Sequence, residues 1–319
     1  MTFTPLSAVG QRSLHQSAER VQPPNSKTKS SSMDAPSKTS EFKPTPSPNL
    51  IHPSEIPNLS RFAILSEDAF TELHTIKYNI RVVCIADGRK YVLKRHVAGW
   101  DDVLFKAELE AWTSYDLISP HIIEFAGYIL NDEGKIDAMV LGFAEYFALT
   151  TVLDPLTAPP PLMQKWVAQI THGLMKIHAA GIIHGDLRCS NVVLDKDLNV
   201  LLIDVIQGKG CTDGWCPWKR PEDPENLTPF DMYSLGATIW EILSGGKTPP
   251  KRQDLVFDFD IPDEPVLHQP KAIAERCLAE DPKDRPTAVQ VFEELGGTRA
   301  CGCSERGVSY KKLEACKSL

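Results

Sequence analysis

The sequence predicts an α+β fold in two unlike parts, a small antiparallel sheet with one main helix followed by a larger, mainly helical region. Three observations predict it. Two β-rich runs, Ile80-Arg-Val-Val-Cys-Ile-Ala86 and Lys90-Tyr-Val-Leu-Lys-Arg-His-Val97, flank Asp87-Gly88, a strong short-hairpin signal. One helical pattern follows, from about Asp101 to Leu117, with acids in its first turn and apolar groups at Leu104, Ala107, Ala111 and Tyr115. Beyond Pro159-Pro160-Pro161 the apolar period is that of helices and remains so to Leu295.

Each element can be justified in order. Residues 1–60 are rich in Ser, Pro, Lys and Thr, and cannot bury enough apolar surface to offset their ordering entropy. They are expected to form a disordered tail, with structure beginning near Arg61. After the hairpin and its helix, strands are expected at Glu124–Leu130 and Ala138–Phe143, with Asn131-Asp-Glu-Gly134 as the turn between them. A helix over Leu162–Ala180 keeps Leu162, Trp166, Val167, Ile170, Leu174 and Ile177 on one face, and Gly181 stops it. Further helices are expected at Asp231–Ser244, Lys271–Leu278 and Ala288–Leu295, and a flexible tail over 296–319. The lobes, about 61–143 and 144–295, meet near Phe143–Ala148, so a cleft at their boundary is the expected ligand site.

Composition narrows the partners. A chain of 319 residues with formal net charge -8 lacks the basic excess that drives phosphate-backbone binding, so nucleic acid is not expected. Its apolar runs are far shorter than the roughly 20 residues a bilayer-crossing helix needs. Eight cysteines without a leading apolar signal segment point to reduced thiols and an intracellular, cytoplasmic location. Cys211 and Cys216 have no nearby His to complete a zinc tetrahedron and are expected as free thiols.

The chemistry concentrates in Ile182-Ile-His-Gly-Asp-Leu-Arg-Cys-Ser-Asn-Val-Val-Leu194 and Val200-Leu-Leu-Ile-Asp204. Ionisable groups set beside strand-like apolar runs cost free energy unless they have partners or a ligand. Asp186 and Asn191 lie five apart and Asp204 eighteen beyond Asp186; a carboxylate and an amide near a second carboxylate can coordinate magnesium and orient a hydroxyl. His184-Gly-Asp-Leu-Arg-Cys-Ser-Asn191 resembles the catalytic loop of protein kinases, H-R-D-x-K-x-x-N. Lys94 in Tyr91-Val-Leu-Lys94 resembles the strand lysine of that family, and Glu108, fourteen residues on, its helix partner. Arg220-Pro-Glu222 resembles the A-P-E motif, Asp231-Met-Tyr-Ser-Leu-Gly236 the helix whose aspartate braces the loop, and Cys277–Pro286 the element whose arginine, Arg285, pairs with that glutamate. Small-molecule kinases of the aminoglycoside-phosphotransferase type share the H-G-D reading but lack these later motifs.

The resemblance implies a bilobal protein-kinase-like fold over 61–295 that uses ATP and Mg²⁺ to phosphorylate a protein hydroxyl, of the serine/threonine class. It implies that Lys94 holds ATP phosphates, Glu108 fixes Lys94, Asp204 and Asn191 bind Mg²⁺, Asp186 accepts the hydroxyl proton and Arg188 neutralises the transferred phosphate. Four departures bear on this. The region upstream of Lys94 assigned to the glycine-rich loop, Leu65–Leu73, has no glycine; D-F-G reads Asp204-Val-Ile206; Trp215 takes the place of the threonine near the catalytic aspartate; and Gly185 replaces the arginine that docks an activation-segment phosphate. The alternative they raise is a pseudokinase scaffold that binds nucleotide weakly or not at all. Trp112, four residues after Glu108, is expected to fill space left by the small Val205. Cys316 has the placement of a prenylation cysteine, with Lys311 and Lys312 upstream, but Lys317 and Ser318 break that pattern, so a plain tail is expected there.

Overall fold

In the computed structural model the sheet of the first lobe is ordered β1-β5-β6-β4-β3-β2, where β1 is Ala63–Ile64, β2 Thr71–Lys77, β3 Ile80–Cys84, β4 Lys90–Arg95, β5 Phe125–Leu130 and β6 Ile136–Gly142. The residues described are 50–97, 101–115, 117–153, 158–217, 226–250 and 264–297. All fall within the unit Phe42–Leu319.

The hairpin signal at Asp87-Gly88 is realised. β3 pairs antiparallel with β4 from Ile80↔Lys94 to Cys84↔Lys90, and Gly88 adopts φ 83°, a region an L side chain rarely enters. β4 pairs with β6 and β6 with β5, so Lys94 stands on an interior strand of the sheet. Only β1, paired with β5, runs parallel.

Helix α1, Asp101–Ser114, buries Phe105, Glu108, Leu109, Ala111 and Trp112. Its start is fixed by His96, just past β4, whose ring stacks on Phe105 at 4.7 Å and whose Nε2 lies 2.8 Å from Asp102 Oδ1. The folded part begins earlier than Arg61. Ile51, Ile56 and Leu59 are buried with α1 and the sheet in one core, and the Ile51 carbonyl accepts from the Ile136 amide at 2.9 Å. Isolated apolar residues among prolines and serines carry no periodic signal, which is why the boundary read from composition falls about ten residues late.

The second lobe holds α2 (Leu149–Leu153), α3 (Pro160–Ala179), α4 (Thr228–Leu243), α5 (Pro265–Cys277) and α6 (Ala288–Glu294), with a small antiparallel sheet of β7 (Tyr146–Ala148), β8 (Val192–Leu194) and β9 (Val200–Leu202). The predicted helical faces are the buried ones: Trp166, Val167, Ile170, Leu174 and Ile177 of α3 all lie in the core. Helix α4 is buried almost throughout, which makes its Asp231 and Glu241 costly unless satisfied. Among the described residues no helix is long and apolar enough to cross a membrane.

Candidate active site

Lys94, Glu108 and Asp204 come together although 110 residues separate the first from the last. Lys94 Nζ donates to Glu108 Oε2 at 2.5 Å and to Asp204 Oδ1 at 2.7 Å. Burial opposes the charge on Lys94, but the two carboxylates outweigh it and raise its pKa above the ordinary lysine value. Burial likewise works against ionisation of Asp204, and the Lys94 ammonium reverses the balance and holds that carboxyl below its usual range. Glu108, almost wholly buried and facing a second carboxylate, is pushed upward by burial first. The helix stays docked on the sheet with this pair made, and Gln207 Nε2 adds a tie to the Ala107 carbonyl at 3.1 Å.

The loop His184–Asn191 is held from below by α4. Asp231 Oδ2 accepts from the His184 amide at 2.7 Å and lies 2.9 Å from His178 Nε2, while Oδ1 accepts from the Gly185 amide at 2.9 Å. Glu241 Oε2 accepts from the Cys189 amide and from Trp215 Nε1, each at 3.1 Å. His184 is fully buried, and burial lowers its pKa, so the ring is neutral near pH 7. The loop is then stitched to the turn bearing Asp204: Ile203 N donates to the Asn191 carbonyl at 3.1 Å and Ile206 N to the His184 carbonyl at 2.9 Å. Asp204 itself takes a left-handed conformation, φ 59°, which carries its carboxylate toward Lys94.

Asp186, Arg188 and Asn191 form one cluster. Asn191 Nδ2 donates to the Asp186 carbonyl at 2.7 Å and to Asp186 Oδ2 at 3.0 Å, and Arg188 Nε reaches Oδ2 at 3.1 Å. On the other oxygen, Oδ1, both the amide and the hydroxyl of Thr212 donate, at 3.0 and 2.9 Å. This corrects the expectation for Trp215. The threonine beside Asp186 is Thr212, and Trp215 is instead buried, donating to Glu241 and offering its carbonyl to the Ser234 hydroxyl at 2.9 Å. Nothing local in the sequence marks Thr212 or Glu241, because each acts across 26 or more residues.

Two further expectations are corrected. Cys211 and Cys216 are bonded to one another, with Cα atoms 5.9 Å apart, because the turn Thr212–Trp215 folds back on itself; Cys84, Cys189 and Cys277 remain free. The connection expected to cover the phosphates is not Leu65–Leu73, which supplies a short turn and the start of the outermost strand. The hairpin link next to β3 is the two-residue connection Tyr78-Asn79 between β2 and β3, where Lys77 pairs with Ile80 and Asn79 Nδ2 reaches the Arg95 carbonyl at 3.4 Å. It too lacks glycine.

Gly185 is more than a missing arginine. Its φ is 89°, and a Cβ added there would sit 2.1 Å from the Gly208 amide nitrogen. The backbone after Asp204 fills the space a side chain would need. Arg220-Pro-Glu222 lies outside the described residues; Arg285 donates to the carbonyls of Pro229, Ala279 and Glu280 and lies over the Tyr233 ring at 5.2 Å. Trp112 stacks on Phe125 with centroids 6.5 Å apart, in the same buried core as Val205.

A family model for the protein kinase domain matches residues 82–295. The chain belongs to the protein kinase domain family. Among curated relatives it is 27% identical to the receptor-interacting serine/threonine-protein kinase 3 of Rattus norvegicus, over 47% of this chain and 39% of that protein. It is 32% identical to the serine/threonine-protein kinase/endoribonuclease IRE1a of Arabidopsis thaliana, over 42% of this chain and 19% of the relative. Similarity to the tyrosine-protein kinase receptor TYRO3 of Danio rerio is 23%, over 58% of this chain and 25% of that receptor. The chain thus spans less than half the length of each of these relatives.

The residues present suit the magnesium that the family uses. Asp204 Oδ2 and Asn191 Oδ1 accept no hydrogen bond from the described residues, and both are hard oxygen donors of the kind Mg²⁺ takes. Two protein ligands suffice when substrate phosphates complete the octahedron.

Proposed function

We propose that this chain is an ATP-dependent protein kinase acting on a protein serine or threonine hydroxyl in the cell interior, where ATP is supplied. The observation that carries the reading is the convergence of Lys94, Glu108 and Asp204 in one hydrogen-bonded set, beside a loop that presents Asp186 and Asn191. Phosphoryl transfer asks a protein mainly for positioning and charge neutralisation, and these groups are arranged for both. Lys94, kept protonated by two carboxylates, offers its charge to phosphate oxygens of the nucleotide. Asp204 and Asn191 would hold Mg²⁺, which when bound neutralises phosphate charge. Asp186 receives the proton of the attacking hydroxyl, and Arg188, tethered to Asp186 with its guanidinium partly exposed, faces the transferred group. Two of the three relatives named above are serine/threonine kinases, which supports that choice of hydroxyl.

A scaffold reading has one observation in its favour. The Tyr78-Asn79 link has no glycine to let backbone amides close over phosphates, so the turnover proposed is slow. The deciding experiment uses full-length protein with dithiothreitol present, scoring transfer of labelled γ-phosphate to serine/threonine peptides. Asp186→Asn is expected to fold and bind Mg-ATP normally while losing transfer by about 10²-fold or more. Asp204→Asn is expected to weaken magnesium-dependent nucleotide binding. Absence of magnesium-dependent ATP binding in the unsubstituted protein sinks the enzyme reading in favour of the scaffold.

A further inference from the structure

Lys94 is already engaged before any ligand arrives. Its ammonium donates to Glu108 and to Asp204, so its single positive charge faces two carboxylates. A polyphosphate carries several negative charges, and in this set of three it meets only one cation. Backbone amides can supplement such a cation where glycine lets the chain turn tightly over phosphate, but the Tyr78-Asn79 link has no glycine. A second cation on that hairpin would supply what the link does not.

One stands there. Lys77 pairs with Ile80 on β3, and Ile80 pairs with Lys94 on β4, so the three residues form one row across the sheet. Residues directly opposite one another in adjacent strands carry their side chains on the same face, which puts Lys77 on the face that Lys94 turns toward Asp204. At the ordinary strand spacing the two lysines are about 10 Å apart along that row, with Ile80 between them. The placement leaves an electrostatic trace: the Asp204 carboxyl, pushed up by burial and pulled down chiefly by Lys94, is pulled down further by Lys77. Lys77 is also uncommitted. Of the lysines and arginines over residues 71–95, Arg81 is paired with Glu72, Arg89 with Asp87, Lys94 with its two acids and Arg95 with Glu67 and Asp137, while Lys90 lies over the Phe143 ring. Lys77, exposed on its strand, forms no ion pair among the described residues.

We propose that Lys77 is a second phosphate-binding residue of this site, whose ammonium takes the place of glycine amides and meets the polyphosphate of a bound nucleotide across Ile80 from Lys94. The inference rests on the reading of the site as one for a nucleotide, and deepens it by giving the outer hairpin a residue with a task. A lysine suits the position. It is a compact point charge on a flexible four-carbon stem, so it can reach a phosphate oxygen from a strand that is paired along one edge only. What it contributes is charge rather than a fixed fork of hydrogen bonds, so arginine can replace it and a neutral side chain of similar length cannot. Because the group is exposed, the attraction weakens as salt rises.

The test uses the full chain and measures its affinity for Mg-ATP and for adenosine, which lacks phosphate, with γ-phosphoryl transfer to a serine/threonine peptide read in parallel. Lys77→Met is expected to weaken Mg-ATP binding about ten-fold while leaving adenosine binding and the unfolding midpoint unchanged. Lys77→Arg should restore most of that affinity, and the loss in Lys77→Met should shrink in high salt. In transfer, KM for ATP should rise by more than kcat falls. Arg81→Gln removes a charge from the opposite face of the same hairpin and should leave Mg-ATP binding unchanged. Equal Mg-ATP affinity with and without Lys77, an equal loss for ATP and adenosine, or the same loss in Arg81→Gln overturns the assignment. Lys77-dependent ATP binding with no transfer keeps the assignment and rejects the kinase reading. Transfer that proceeds unchanged in Lys77→Met keeps the kinase reading and rejects the assignment, and absence of Mg-ATP binding in the unsubstituted chain rejects both.

Discussion

The amides of His184 and Gly185, at the head of the loop that carries Asp186 and Asn191, both end on the buried carboxylate of Asp231, whereas all seven residues of β2 are exposed at the edge of the other lobe's sheet. One region is clamped by acids placed inside a helix, and the other is an edge flap, strand β2, which turns at Tyr78-Asn79 into β3, where Val82 and Val83 are buried. The difference teaches where this protein keeps its precision. The loop is fixed in place by buried, hydrogen-bonded charge. The edge flap is fixed more lightly, through the ladder of β2 with β3.

Substitutions can break or sharpen this contrast, in descending order of effect. The braced part of the first lobe extends to its leading segment, where Ile51 and Leu59 are 5% and 2% exposed; Ile51→Ala with Leu59→Ala should lower stability by about 4 to 6 kcal/mol in denaturant unfolding. No loss would mean that the segment merely lies on the surface. Asp231→Ala strands two buried amides and should remove about 3 to 5 kcal/mol, with transfer falling further than stability predicts. Restoring the family arginine by Gly185→Arg should not create phosphate docking. It should destabilise by about 2 to 4 kcal/mol, since a Cβ collides with the Gly208 backbone at a positive φ.

A smaller effect is expected on the slope of stability with pH. His172 packs against His121 and Phe292, and burial first, then Lys176, lowers its pKa below 6.5. As pH falls the unfolded chain takes up that proton before the folded one, so stability is lost below about pH 6.5. His172→Phe should flatten that part of the pH profile; an unaltered slope would place the titration elsewhere. Smallest of all, Leu73→Ser on β2 should move the unfolding midpoint by less than about 0.5 kcal/mol, and a large change would show that the flap is braced after all.

Much of the fold was legible because it rests on local signals. Asp87-Gly88 specifies its turn through a positive φ, α3 shows its buried face in the spacing from Leu162 to Ile177, and the helix carrying Glu108 shows acids in its first turn. The candidate site was legible where polar residues interrupt apolar runs, as at Asp186, Asn191 and Asp204, since such interruptions are expensive without a task. The turn at Tyr78-Asn79 was not, because Tyr-Asn is not one of the glycine-containing dipeptides that announce a two-residue hairpin.

By itself, then, the sequence determined the order of elements, the identity of the ionisable groups and their kinase-like succession from Lys94 to Asp204, all properties carried by neighbours in the chain. Tertiary structure alone decided that Thr212 rather than Trp215 meets Asp186, that Cys211 closes on Cys216, that Gly185 leaves no room for an arginine and that Ile51–Leu59 belong to the core. Each of these depends on which backbone arrives opposite a given atom, a matter of long-range packing that no periodicity or pairwise spacing encodes.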